Sequence, residues 1–408
     1  MPAASSTRET APHKPPLTRA LAAFALSLLL GLQPVTTDVY LPALPMLARA
    51  LAAPMHTVQL TMSALVLAFG ISQMAWGPLA DRVGRRPVLL AGLGLYVAAS
   101  AGAALAGSIE SLVLWRILQG VAMAAAIVCA RAMVRDLYEP VQGAQVMALA
   151  LSGLGVISLV GPLSGGLAAA AWGWRGPLAL VTLAGTFTLA FVALRVPETL
   201  PRKNPAATQL RPLLQTWLGI AQHRVFLAWA LLVACTYGGL FTFLASSSFI
   251  YMDVLGLSPT AYGAAMGVGA LSYILGTFVC RGWIRRYGMH GAVSHGAWFT
   301  LAGGALILAL ALAGVQALWA VMLPQCLYFF GHGLHQPCGQ AGVVGPFPHN
   351  AGAASALAGL MLALVAFAVG RWLGVAMNGS TAPLAYGVAF WSMLTCAVAW
   401  VLVKRAAT

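Results

Sequence analysis

From Leu17 to Val403 the chain is a succession of apolar blocks, each about 20 residues long, the length a helix needs to cross a bilayer. Short charged turns separate them, and the chain has room for about twelve such crossings. Composition agrees. Of 408 residues, 60% are apolar and only 7% are charged, against about 25% charged in an ordinary soluble domain. Eight acids and 22 bases cannot clothe a soluble surface of this size. A soluble enzyme, a disordered chain and a disulfide-stapled secreted domain are therefore excluded. The fold class expected is an all-α polytopic membrane protein with twelve transmembrane helices. Cys129, Cys235, Cys280, Cys326, Cys338 and Cys396 all fall inside or beside apolar blocks without a C-x-x-C pair, and read as reduced packing residues.

The blocks divide six and six. Residues 1–16 form a polar N-terminal tail, 17–195 a first six-helix bundle, and 196–223 a polar connector. Residues 224–403 form a second six-helix bundle and 404–408 a short tail. Within the second bundle, spans eight and nine are placed at 261–283 and 292–314, and span ten at 316–340. The net charge of +14 first suggests nucleic acid, but the bases sit at block ends rather than on one face. All but Arg49, Arg116, Arg175 and Arg371 fall on one side once the N-terminus is placed inside. The positive-inside rule then puts both termini and the connector in the cytosol. The two bundles also echo each other after their second spans. Residues 79–86 read Leu-Ala-Asp-Arg-Val-Gly-Arg-Arg and residues 283–290 read Trp-Ile-Arg-Arg-Tyr-Gly-Met-His, with Gly84 opposite Gly288 and Asp81 replaced by Arg285. A duplicated transporter of this kind keeps its substrate site between the halves, near mid-membrane.

Residues 77–90 read GPLADRVGRRPVLL, which resembles the loop signature of the major facilitator superfamily and falls between spans two and three, where that family carries it. The resemblance implies that Gly77, Asp81, Arg82, Gly84, Arg85 and Arg86 belong to a gating loop that latches the cytosolic side. Gly77 would permit close helix approach and Gly84 a tight turn. Asp81 is expected to accept from Arg131 or Arg135 at the cytosolic end of span four, or to sit at a helix N-terminus. Three further stretches resemble the Bcr/CflA drug:proton antiporters, the bicyclomycin and chloramphenicol exporters. They are Thr37-Asp38-Val39-Tyr40-Leu41-Pro42 in span one, Trp115-Arg116-Ile117-Leu118-Gln119-Gly120 with Arg131–Asp136 in span four, and Gly161-Pro162-Leu163-Ser164-Gly165-Gly166 in span five. Gly161, Pro162, Gly165 and Gly166 carry the antiporter motif, although Ile157 stands where the signature usually begins with glycine. A glycine face there would pack spans five and eight closely.

Charges inside the membrane are costly and mark function. Among the acids only Asp38 falls within the expected membrane region, in the outer half of span one, one turn past Pro34. Arg116 enters from the same side at similar depth and is its natural partner. The pair is the candidate proton-coupling site. Gln33, Tyr40, Gln119, Tyr237 and Phe241 are the candidate substrate contacts. His332 and His335 form H-x-x-H in span ten, a pattern without a third ligand, and no metal is expected. No nucleotide or phosphate motif, catalytic triad or cofactor signature is present. The sequence thus points to a proton-coupled exporter of small amphipathic drugs, with an importer or metabolite exporter on the same fold as the alternative. Its partners would be a drug, protons and the bilayer, with no nucleic acid. It is expected to act as a monomer in a bacterial inner membrane.

Overall fold

The computed structural model describes residues 17–407. The expected tail at 1–16 and Thr408 lie outside the described residues. Those described residues form helices and no strands. In order these are α1 (Arg19–Asp38), α2 (Leu44–Ala50), α3 (Met55–Val83), α4 (Arg85–Ala104), α5 (Ile109–Leu137), α6 (Pro140–Trp172) and α7 (Arg175–Arg195). After the connector helix α8 (Leu210–Ala221) come α9 (Arg224–Phe249), α10 (Pro259–Leu312), α11 (Leu318–Val344), α12 (Ala351–Ala376), α13 (Ala382–Ala397) and α14 (Lys404–Ala407).

Ten described helices are long and apolar enough to cross a membrane. One of them, α10, has 54 residues, or about 80 Å of helix, more than twice the hydrocarbon thickness. Gly288 breaks it, with φ 70° and ψ 176°, so its two arms make spans eight and nine. The helix α11 is 27 residues long and supplies span ten, its apolar character diluted by histidines, glycines and prolines. Twelve crossings result, in two six-helix bundles. Local sequence explains where helices begin: Ser108 caps α5 in a reciprocal box with Ser111, and Ser258 accepts from the Ala261 amide to cap α10. Large apolar side chains such as Trp172, Leu183, Phe187 and Phe278 stand exposed on α6, α7 and α10, as lipid-facing surfaces require.

The crossings define a basic end, with the turns at 83–85, 195–224 and 286–290, and a far end. The halves meet along two seams, α3 with α12 and α6 with α10. The second seam is glycine-built on both sides. A Cβ on Gly166 would lie 2.3 Å from the Pro259 carbonyl, and one on Gly263 would lie 2.4 Å from that of Pro162. Only glycine permits this approach, and the expected packing of spans five and eight is found. At the far end the halves are tied: Arg49 meets Asp253 at 3.0 Å, and Gln59 Nε2 donates to the Ala245 carbonyl at 2.8 Å. At the basic end a cavity of about 550 Å³ separates α3 and α5 from α12, with α8 across it. The connector is therefore not simply a polar loop. Gln209, Pro212, Leu213, Thr216 and Trp217, at helical spacing, face the cavity.

Candidate functional site

The sequence-predicted residues gather in three places. The first lies inside the first bundle. Arg116 on α5 is completely buried. Its Nε donates to the Thr61 carbonyl at 3.1 Å and its Nη1 to Gln119 Oε1 at 2.7 Å. Both Nη atoms reach the Thr36 carbonyl, at 3.3 and 3.2 Å. The Tyr40 ring lies 4.3 Å below the guanidinium. Tyr40 donates its hydroxyl to Thr61 Oγ1 at 2.9 Å, and Gln119 donates to Ser100 Oγ at 2.7 Å. The expected pairing with Asp38 is not formed. Thr36 lies in the last turn of α1, where carbonyls lack helical partners and the helix dipole is negative. That helix end takes the place of a carboxylate in balancing the buried charge.

The second place is the junction of the halves. Asp38 ends α1, half-buried, and its Oδ1 accepts from Thr37 Oγ1 at 2.7 Å. No described ion pair includes it. It lies in electrostatic reach of the phenols of Tyr237 on α9 and Tyr262 on α10, both in the second bundle. Gly161 leaves room beside it: a Cβ there would stand 3.8 Å from Asp38 Cβ. Gly165 abuts the Val39 carbonyl, and Pro162 lies within α6. Ile157 fills a notch, since a Cβ on Gly31 would meet its Cδ1 at 2.5 Å. Phe241 is buried 6.1 Å from the Tyr237 ring, and Gln33 is half-buried on α1. Tyr262 was missed by sequence reasoning. It shares a 2.9 Å hydrogen bond with Ser247, but nothing around it in sequence distinguishes it from other aromatics. His332 and His335 sit elsewhere, in the second bundle, sharing the Thr236 hydroxyl at 3.0 and 3.4 Å.

The third place is the basic end. Gly84 takes φ 124° and turns the chain from α3 into α4. Asp81 bonds Arg85 at 2.6 Å, and Arg85 bonds Asp136 at 2.9 Å. This corrects the expected partners: span four answers with its acid, Asp136, while Arg131 and Arg135 have no hydrogen-bond or ion-pair partner among the described residues. Asp81 also lies in the last turn of α3, not at a helix N-terminus. The acid at a helix start is Glu198, which sequence reasoning passed over. Its carboxylate accepts from the Arg85 and Arg86 amides opening α4, at 3.0 and 3.2 Å, and from Thr199 and Leu200 at 2.9 Å. Partial burial pushes Glu198 up, but these four N–H donors outweigh it and hold the group below the usual glutamate range. Arg82 reaches Thr208 at 2.8 Å, and Arg86 reaches the carbonyls of Val196 and Ala193 at 3.0 and 2.9 Å. Gly77 is not needed for close approach here, since a Cβ would meet only Val128, at 3.8 Å. Asp81, Arg85, Arg131 and Arg135 line the cavity, with the first turn of α12 among its other walls.

Known proteins share this architecture. The family model of the Major Facilitator Superfamily matches residues 22–371. Multidrug resistance protein D of Escherichia coli (strain K12) is 32% identical over 347 residues, covering 82% of this chain and 83% of that protein. A chloramphenicol resistance protein of Pseudomonas aeruginosa is 30% identical over 322 residues, covering 78% and 75%. The partially occluded inward open structure of the xylose transporter XylE from E. coli superposes with a TM-score of 0.74 over 95% of this chain and 97% of that one. At 14% identity that likeness is one of fold alone. With the loop signature, the twelve crossings and the cavity between the halves, these matches show that the chain belongs to the major facilitator superfamily.

Proposed function

We propose that the chain is a proton-coupled exporter of small amphipathic drugs, of the phenicol, bicyclomycin or broader multidrug kind. It would work by alternating access in a bacterial inner membrane. The observation that carries this reading is Asp38, an acid at the junction of the halves with no cation paired to it among the described residues. Similarity to a multidrug and a chloramphenicol resistance protein supports the substrate class. The positive-inside rule assigns the basic end to the cytosol, so the cavity faces in and the tied far end faces out. A cysteine introduced at the exposed Gly219 of α8, in a variant without native cysteines, should resist an impermeant thiol reagent outside intact cells. Ready labelling would reverse the orientation.

In this reading drug enters the inward cavity and displaces a proton from Asp38, because hydroxyl and amide donors of the drug that bond the carboxylate favour its charged form over the protonated one. Opening the far end then lets the drug leave and the carboxylate take a proton from outside. Arg116 stays fixed in its carbonyl cage and positions α1 against α5. One proton falling through 100 mV supplies about 2.3 kcal/mol, enough to sustain roughly a 50-fold gradient of neutral drug. The test is chloramphenicol-induced proton release from purified protein in weakly buffered detergent. The parent should release protons, and Asp38→Asn should bind the drug without release. Equal release from the variant would remove Asp38 from the coupling step.

A further inference from the structure

The basic-end cavity contains a positive charge that the described residues do not balance. Arg131 and Arg135 lie one helical turn apart on α5 and both line it. They oppose each other electrostatically, and neither has an ion-pair or hydrogen-bond partner among the described residues. The acids that approach this region are already engaged, since Asp81 and Asp136 both go to Arg85, at 2.6 and 2.9 Å. The first turn of α12 faces the same space through Ala351, Gly352 and Ala353. Asn350 gives that turn no side-chain cap, so the amides that open a 26-residue helix have no side-chain acceptor among the described residues. The two features are adjacent: a Cβ on Gly352 would lie 3.6 Å from Arg135 Nη2. Gln73, His349 and Ser355 add polar groups to the walls.

A neutral drug has no use for two unpaired guanidiniums and an uncapped helix start. We propose that this cavity is a seat for an oxyanion, a phosphate or carboxylate group presented from the basic end, held between Arg131, Arg135 and the first turn of α12. Guanidinium forks and helix N-termini both match this chemistry, and their combination at one cavity selects it over an uncharged group. The inference concerns binding and does not rest on the transport reading.

The shared chemistry has two sources, free anion and lipid headgroup, so two probes are needed. Purified protein in dodecyl maltoside at low salt is titrated calorimetrically with inorganic phosphate and with dihexanoyl phosphatidic acid, using dihexanoyl phosphatidylcholine as the neutral-headgroup control. Binding of either anionic probe, weakened by added sodium chloride and cut about tenfold or more in Arg131→Gln/Arg135→Gln, supports the seat. Binding of phosphate identifies a soluble occupant, and binding of phosphatidic acid alone identifies a lipid. The double variant should melt no lower than the parent without ligand, because a like-charge pair has been relieved. Should it not fold, Arg135→Gln alone changes an exposed side chain and should weaken binding about threefold or more. The proposal is overturned if neither probe binds the parent at about 10 mM, or if the variants bind as the parent does.

Discussion

After the second span of the first bundle, Gly84 takes φ 124° and ψ 153°; at the matching turn of the second bundle, Gly288 takes φ 70° and ψ 176°. Both are backbone conformations essentially confined to glycine, so the two halves repeat the turn. Their surroundings differ. Around Gly84 stand Asp81, Arg85, Asp136 and Glu198, joined in a continuous set of ion pairs and of hydrogen bonds donated by backbone amides. Around Gly288 stand Arg285, Arg286 and Tyr287. There the Arg286 guanidinium lies 5.2 Å over the Tyr287 ring, which stacks on His295 at 4.8 Å. The second bundle has a single acid, Asp253, and it is spent at the far end on Arg49. The two halves thus share the turn, and among the described residues the ion relay stands on one half only. One loop is held by charges and the other by rings.

The largest effect should come from breaking the relay. Arg85 is 6% exposed and needs both acids to offset its burial. On the proposed export function, Asp81→Asn should lower the transport rate about tenfold or more, equivalent to about 1.4 kcal/mol on the rate-limiting conformational step. Arg285→Asn, at the matching position, should change it less than about twofold, because its loss breaks no described ion pair. Drug uptake into inside-out vesicles compares the two directly. Equal losses would mean that both loops gate by charge.

Next in size is the difference between the two glycines. Alanine at either pays for a backbone that L-residues avoid, about 1–3 kcal/mol. Gly84→Ala also drives a Cβ to 2.6 Å from Glu198 Oε2, whereas Gly288→Ala meets nothing within 4 Å. Melting of the purified variants in detergent should show the larger drop for Gly84→Ala. A matching drop would mean that the Glu198 side chain yields at no cost, and that the charged loop is no tighter than the aromatic one.

How far the sequence anticipates these arrangements depends on the interaction. The twelve crossings, the break at Gly288 and the turn at Gly84 follow from apolar length and from one residue type with unusual freedom, so they are legible along the chain. The partners of the charges are not. Arg85 draws on Asp81 four residues away, but also on Asp136 and on the carboxylate of Glu198, which lies 113 residues from it. Asp136 stands beside Arg135 in the sequence, where nothing marks it as the partner of Arg85. Arg116 is harder still. Its acceptors include the Thr36 and Thr61 carbonyls, groups that every residue possesses and no pattern reveals. The helix α8 escaped for another reason: the bases flanking it made the whole connector read as polar, although Leu213, Trp217 and Ile220 repeat at helical spacing.

The smallest expected effect separates the loops by acidity. Glu198 sits exposed at the start of α4, and its four amide donors hold it below its ordinary value of 4.5 despite the opposing effect of burial. A carboxylate depressed in the folded state contributes stability that is complete above the unfolded value and is lost as pH falls through the folded one. The anchoring of Arg85, Arg86, Thr199 and Leu200 should therefore be intact at neutral pH and weaken below about pH 4.5. No carboxylate acts at Gly288, where rings and bases make the contacts; His290, held below its ordinary value by burial and by Lys404, gains a proton as pH falls, but does so alike in the parent and in Glu198→Gln, so the turn at 286–290 should respond alike in both. Amide hydrogen exchange of both segments, corrected for intrinsic rates, gives the comparison within one molecule. In Glu198→Gln the first loop should exchange faster at neutral pH and lose its acid dependence, since an amide cannot titrate there. If the ratio of protection between the two loops changes from neutral pH to pH 4 in the parent as it does in Glu198→Gln, the Glu198 carboxylate is not what fastens the first loop, and the contrast drawn from charge fails at that point.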